Sequence, residues 1–303
     1  MELGMIGLGK MGGFMAERLV RGGHRVIGLD RDPAAVSRVV EKGGAGADSI
    51  EKLIALMKRP RAAWIMVPSG KPVDETIDSL VPHFAPGDTI IDGGNSYYRD
   101  SVRRGAALAA KKMNFVDCGT SGGVWGLTEG YSMMVGGDAD VVKGLAPIFQ
   151  TLALGPDKGW GRVGPCGAGH YVKMIHNGIE YGIMQAYAEG LDLFRHKTEF
   201  GLDLLQITKI WQSGSVVRSW LLDLTVNALS KNPTLDGIEA YVTDSGEGRW
   251  TAIEGIEHGV PLPALSGALH ARFRSQDPQP FANKLLAMMR HEFGGHAVKT
   301  AAK

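Results

Sequence analysis

In the segment Gly167-Ala168-Gly169-His170-Tyr171-Val172-Lys173-Met174-Ile175-His176-Asn177-Gly178-Ile179-Glu180-Tyr181, four polar residues recur at helical spacing. Lys173, His176, Asn177 and Glu180 stand at i, i+3, i+4 and i+7. On a helix they share an arc of about 100°, with Val172, Ile175 and Ile179 on the opposite side. An amine and a carboxylate two turns apart can divide the work of a base and an acid, provided their surroundings shift their proton affinities in opposite directions. The same spacing also fits a solvated face carrying a Lys–Glu pair. Gly178 and Gly182 favour the first reading, because each costs a helix about 1 kcal/mol unless something approaches closely.

A proton-transfer pair needs a reaction partner, and the N-terminal residues supply one. Gly7-Leu8-Gly9-Lys10-Met11-Gly12 fits G-x-G-x-x-G directly after an apolar run and is followed by a helical pattern. The first glycine permits a tight turn and the second lets backbone approach a pyrophosphate. The third packs helix on strand, while the helix N-terminus offers N–H donors. A second run, Arg25–Leu29, ends in Asp30, eighteen residues past Gly12, where a carboxylate would hold the adenosine ribose hydroxyls and repel a 2′-phosphate. NAD is therefore the expected cofactor. The adjacent Arg31 could pair with such a phosphate, so NADP stays open.

Two further turns end strands where ligands of open sheets bind. Asp117-Cys118-Gly119-Thr120-Ser121-Gly122-Gly123 offers a hydroxyl and consecutive backbone N–H groups that could hold a carboxylate, or form an ordinary turn. Asp92-Gly93-Gly94-Asn95-Ser96 is the other. Near the C-terminus stand an isolated cation, Arg290, and two histidines, His291 and His296, which lack companions at metal-ligand spacing, so no metal site is expected.

The elements that must position these groups follow from the hydrophobic pattern. Leu3–Leu8, Arg25–Leu29, Ala62–Val67, Thr89–Asp92, Asn114–Asp117 and Ser132–Val135 read as strands alternating with helical stretches, which implies βαβ units. After the turn-rich string 155–165, long helical patterns take over: 170–195, 202–213, 219–227 and 280–290. The expected fold is an α/β Rossmann-type domain with a doubly wound parallel sheet (residues 1–165), followed by an all-helical domain (166–303). At 303 residues the chain has room for both cores. Thirty of its 43 glycines fall in the first 169 residues, many at strand ends.

With 33 basic against 32 acidic residues, neither nucleic acid nor an anionic membrane surface is an expected partner. No apolar run approaches the length of a membrane span. Two cysteines without metal-like spacing, and no basic leader before the glycine motif, lead us to expect a reduced, cytoplasmic setting.

Taken together these strings resemble the β-hydroxyacid dehydrogenase superfamily and, within it, the short form of the decarboxylating 6-phosphogluconate dehydrogenase family. The resemblance runs from Gly7 to His296. The glycine turn and the Lys173…Asn177 helix are shared across the superfamily. More specific are Asp92–Ser96, His176-Asn177 with Glu180-Tyr181, the loop Asp244-Ser245-Gly246-Glu247-Gly248-Arg249-Trp250-Thr251, Ala271-Arg272, and Arg290…Phe293-Gly294…His296.

The resemblance implies oxidative decarboxylation of a sugar-acid phosphate, a step of the pentose phosphate pathway, with Lys173 as general base and Glu180 as general acid. It implies that Ser121, Gly122 and Gly123 hold the carboxylate, and Asn95, His176 and Asn177 the hydroxyls. Tyr181 and Arg272 would bind the phosphate. Val67, Pro68 and Ser69, with Asn95, would line the cofactor. It further implies a homo-oligomer, dimer or tetramer, in which Arg290 and His296 complete a neighbouring subunit's site.

The chain departs from the pattern in two places. Longer members carry a basic residue and a hydroxyl residue where this chain has Ser245 and Glu247, and an acid where it has Val124-Trp125. Two other readings therefore stand: a non-decarboxylating 3-hydroxyacid dehydrogenase or reductase acting on a non-phosphorylated substrate, and a non-catalytic dinucleotide sensor.

Overall fold

The computed structural model describes residues 1–300. The chain divides into two compact units, Met1–His176 and the residues from Asn177 onward.

The first unit is built on one eight-stranded sheet in the order β3-β2-β1-β4-β5-β6-β7-β8. The strands are β1 (Glu2–Ile6), β2 (Arg25–Leu29), β3 (Ala45–Ala47), β4 (Ala62–Ile65), β5 (Thr89–Asp92), β6 (Asn114–Ser121), β7 (Ser132–Gly136) and β8 (Trp160–Gly164). Neighbours pair in parallel except β6 and β7, which are antiparallel with Gly119 opposite Met134. The connecting helices are α1 (Lys10–Arg21), α2 (Pro33–Glu41), α3 (Ile50–Leu56), α4 (Lys71–Leu80), α5 (Tyr98–Ala109), α6 (Gly126–Glu129), α7 (Ala139–Gly144) and α8 (Ala146–Leu152).

The period-2 alternation of the strands sorts their side chains into two cores. Leu3, Met5, Val26, Trp64, Ile91 and Val116 pack with Met15 and Leu19 of α1 and Phe149 of α8. Ile6, Ile27, Ile65, Ile90 and Phe115 pack on the other face with Leu53 of α3 and Ile77 and Leu80 of α4. This is the doubly wound arrangement expected from the sequence, with three differences. Strand β3, Ala-Gly-Ala, is too short to show alternation. Strand β8 lies in the glycine-rich string read as turn. Strand β6 runs to Ser121, four residues past Asp117, because β7 pairs with it as far as Ser121–Ser132.

Helix α9 (Ala168–His196) runs through the boundary between the units. The second unit continues with α10 (Leu204–Trp211), α11 (Trp220–Lys231), α12 (Glu247–Glu257), α13 (Pro263–Gln276) and α14 (Phe281–Gly294). It is all-helical, as expected. The stretch 244–251 is a loop only as far as Gly246, and its second half is the first turn of α12. Tyr181 of α9 and Ala268 and Leu269 of α13 form a small core. None of α14's residues is buried, and Phe281, Leu286, Met289 and Phe293 are all more than half exposed. Among the described residues no helix is long and apolar enough to cross a membrane.

Candidate active site

The glycine turn is built as its spacing implies. Gly7 sits at φ 91°, and a Cβ there would stand 2.5 Å from the Met66 carbonyl oxygen. A Cβ on Gly12 would stand 2.0 Å from the Gly7 carbonyl oxygen, so strand, turn and helix are locked together. Gly9 differs: nothing lies within 4 Å of its missing Cβ. That is the open backbone a diphosphate needs.

Asp30 fastens the turn, accepting from the Leu8 N–H at 2.5 Å and from the Asp32 N–H at 2.8 Å. Each carboxylate oxygen keeps a lone pair for a ribose hydroxyl. A groove of about 730 Å³ lies beside this turn, lined by Gly7, Gly9, Asp30, Arg31, Val67 and Pro68. A dinucleotide therefore fits this unit. Lys10 and Ser69 are exposed at its margin, whereas the Leu8 side chain and part of Met11 belong to the core, so Leu8 meets a ligand through backbone only. Asp48, Ser49, Thr76 and Ser79 also line the groove and were not anticipated. Their one sequence signal was Ser49, which caps α3 by accepting from the Lys52 N–H.

The two strand-end turns are tied to each other. Asn95, in the left-handed region at φ 51°, donates to the Thr120 carbonyl at 3.0 Å and accepts from the Thr120 N–H at 2.9 Å. Below it, buried Asp92 accepts from the Ser96 hydroxyl (2.8 Å), the Gly94 N–H (3.1 Å) and the Arg104 guanidinium (3.2 Å). Beyond Thr120 come Ser121, Gly122 at φ 126° and exposed Gly123 at φ 51°, conformations that glycine tolerates.

Helix α9 rests on the same strand. A Cβ on Gly119 would stand 2.3 Å from the Lys173 Cβ, and one on Gly169 would stand 2.4 Å from the Asp117 carbonyl oxygen. Lys173 is consequently only 4% exposed, while Val172 and Ile179 on the apolar arc are 37% and 49% exposed. The polar arc thus includes a buried lysine, which a solvated face would not. Lys173 Nζ lies 3.4 Å from His176 Nδ1. Burial pushes the Cys118 and Cys166 thiols up to about 12, which disfavours their nucleophilic thiolate form.

In the second unit Asn177 and Glu180, both partly buried, continue the arc on α9. Tyr181 is buried beneath Arg272, whose guanidinium carbon stands 3.4 Å from the ring centroid. The Tyr181 hydroxyl lies 2.9 Å from the Ser245 hydroxyl, and Arg272 donates to the Thr243 carbonyl at 2.9 Å. Helix α12 reaches α9 this closely through glycines. A Cβ on Gly248 would stand 2.4 Å from the Tyr181 ring, and one on Gly178 would stand 2.7 Å from the Thr251 methyl. Gly182, by contrast, has only Leu265 at 3.8 Å, an ordinary contact.

Burial raises the Asp244 carboxyl, but the Arg249 guanidinium and the Gly246 N–H more than offset this and hold it below the usual carboxylate range. One Glu247 oxygen is buried without a hydrogen-bond partner. Arg290 and His296 lie exposed on α14 and in the segment after it.

Comparison with known proteins agrees with this layout. Residues 2–162 match the NAD binding domain of 6-phosphogluconate dehydrogenase, and residues 169–300 match that enzyme's C-terminal domain. A Haloferax volcanii protein named 6-phosphogluconate dehydrogenase, NAD(+)-dependent, decarboxylating, is 41% identical over 299 residues, covering 98% of each chain. A Bacillus licheniformis 6-phosphogluconate dehydrogenase is 37% identical, and this chain spans 64% of its length. The solved Plasmodium falciparum 6-phosphogluconate dehydrogenase superposes with a TM-score of 0.84 at 30% identity, over 99% of this chain and 66% of that one. A Mycobacterium tuberculosis 3-hydroxyisobutyrate dehydrogenase, at 22% identity and a TM-score of 0.73, shares the fold. With both its domains matched, the chain belongs to the 6-phosphogluconate dehydrogenase family.

Proposed function

We propose that this protein oxidises and decarboxylates 6-phosphogluconate to ribulose 5-phosphate and CO2 with reduction of NAD. The observation that carries the reading is buried Lys173, seated on Gly119 in the same unit as the dinucleotide groove. Gly9, Asp30 and the groove beside them would hold the dinucleotide, whose nicotinamide would supply the acceptor for the C3 hydride. Neutral Lys173 takes the C3 hydroxyl proton, and the resulting ammonium then polarises the new carbonyl. The β-keto acid loses its carboxylate as CO2, and the electron pair of the broken bond moves onto the carbonyl oxygen held by Lys173. Glu180 protonates the carbon that carried the carboxylate, giving the ketose. Ser121, Gly122 and Gly123 hold the carboxylate, Asn95, His176 and Asn177 the hydroxyls, and Tyr181 and Arg272 the phosphate.

The carboxylate of Asp30 favours NAD, and Arg31 beside it leaves NADP usable. The bare apolar surface of α14 supports a homo-oligomer in which Arg290 and His296 complete a neighbour's site. Two free cysteines suit a reducing, cytoplasmic setting. Domain borders near 165 accord with the two matched segments.

One observation favours a second reading. Glu247 places a carboxylate, with one buried oxygen unpartnered, where the resemblance to longer members leads us to expect a hydroxyl residue. That would suit a non-phosphorylated 3-hydroxyacid. Steady-state assays with 6-phosphogluconate and with its dephosphorylated form separate the two: a preference for gluconate over the phosphate ester of at least tenfold in kcat/KM would overturn the first reading.

A further inference from the structure

Asp117 is a fully buried carboxylate in the middle of β6, outside the groove and the polar arc. Its two oxygens are spent on one helix end: one accepts from the Gly167 N–H at 2.6 Å, the other from the His170 N–H at 2.8 Å. The first turn of α9 has no Ser, Thr, Asp or Asn of its own to satisfy those donors. Its cap is supplied instead by a residue about fifty positions earlier in the chain. A carboxylate there also meets the positive end of the helix dipole.

Two residues further along the same strand, Gly119 seats the Lys173 Cβ, and beyond it the Ser121–Gly123 turn begins. One strand therefore fixes where α9 begins, where Lys173 rests and where the turn opens. We infer that Asp117 is a positioning residue for the reaction, setting the height and rotation of α9 so that Lys173 meets its substrate proton. It touches no reacting atom. The inference rests on the activity proposed above.

The test compares wild type with Asp117→Asn and Asp117→Ala, using 6-phosphogluconate and NAD. Three quantities are read: kcat and KM, the stoichiometry of NADH binding, and the primary deuterium isotope effect on kcat from substrate labelled at C3. The asparagine retains one acceptor and should lose about tenfold in kcat; the alanine retains none and should lose about a hundredfold, the scale expected of an ångström's misplacement. NADH should still bind one per chain, its Kd and the substrate KM should change less than threefold, and the isotope effect should rise.

A smaller population of intact enzyme would lower kcat but leave the isotope effect unchanged, and that outcome overturns the inference. So does a variant that no longer binds NADH one to one, since Asp117 would then serve folding rather than position. So does wild-type kcat in both variants. An inactive wild type would instead sink the proposed activity.

Discussion

Replacing Gly119 by alanine tests most sharply how the fold holds Lys173, the proposed base. The added methyl would stand 2.3 Å from the Lys173 Cβ and 2.7 Å from the Gly169 carbonyl oxygen. Non-bonded carbons rest about 3.5–4.0 Å apart, so the helix and strand must separate by about 1.2 Å or more. The strand is poorly placed to yield, because Gly119 is paired with Met134 of β7. Helix α9 therefore takes up the movement and carries Lys173 with it.

Overpacking of this kind costs about 1–3 kcal/mol, and each of those lowers Tm by roughly 2–4 °C in a domain of this size. Displacing a catalytic group by about 1 Å costs on the order of a hundredfold in rate. Gly119→Ala should thus remain folded, bind NADH with a Kd within twofold of wild type, and lose about a hundredfold in kcat. Steady-state kinetics with 6-phosphogluconate, alongside fluorescence titration with NADH, reads both. A kcat within threefold of wild type would show instead that the packing leaves Lys173 free to find its position.

Other substitutions probe the remaining parts. Gly9→Ala places a methyl in open space and should fold normally with at least tenfold weaker NAD binding, whereas Gly12→Ala collides with the Gly7 carbonyl and should depress Tm by several degrees; equal behaviour of the two in thermal melts and cofactor titrations would contradict the assignment. Arg272→Ala removes both the cation over Tyr181 and the tie to Thr243, and should raise the substrate KM about tenfold or more while leaving the cofactor KM alone; an unchanged substrate KM would remove Arg272 from the proposed phosphate site. Because burial pushes the Cys118 and Cys166 thiols up to about 12, both stay protonated at pH 8, and raising the pH is what would expose thiolate. Iodoacetamide at pH 8 should leave activity intact over an hour, and rapid inactivation would show a thiol more reactive than its burial allows.

The parts legible in the sequence are those whose physics is local. Gly7–Gly12 with Asp30 could be read because turn, helix start and acid follow in order along the chain, and the groove was found beside them. The arc from Lys173 to Glu180 was readable from helical period, but its direction was not. Only the structure shows Lys173 buried while Val172 and Ile179 are half exposed, since which side of a helix meets a neighbour depends on distant residues.

Long-range ties were invisible for the same reason. Nothing near Asn95 announces that its amide would engage both backbone groups of Thr120, and nothing near Asp117 announces that it would cap α9. Strands β3 and β8 were missed because Ala-Gly-Ala and Trp-Gly-Arg-Val-Gly carry little alternation and gain their structure from pairing partners. Of the two glycines that argued for close approach on α9, Gly178 meets Thr251, but Gly182 faces an ordinary contact that an alanine would also fit.

In the proposed function Lys173 is the base of an oxidation coupled to decarboxylation. The most direct measurement follows reduced nicotinamide and labelled CO2 together in one turnover of 6-phosphogluconate labelled at C1, in wild type and in Lys173→Met, with NAD and with NADP. We predict one CO2 for each NADH in wild type, and loss of both together, by about 10²–10⁴-fold, in Lys173→Met. NADH formed without CO2, no turnover with either cofactor, or a Lys173→Met enzyme that retains its rate would contradict it.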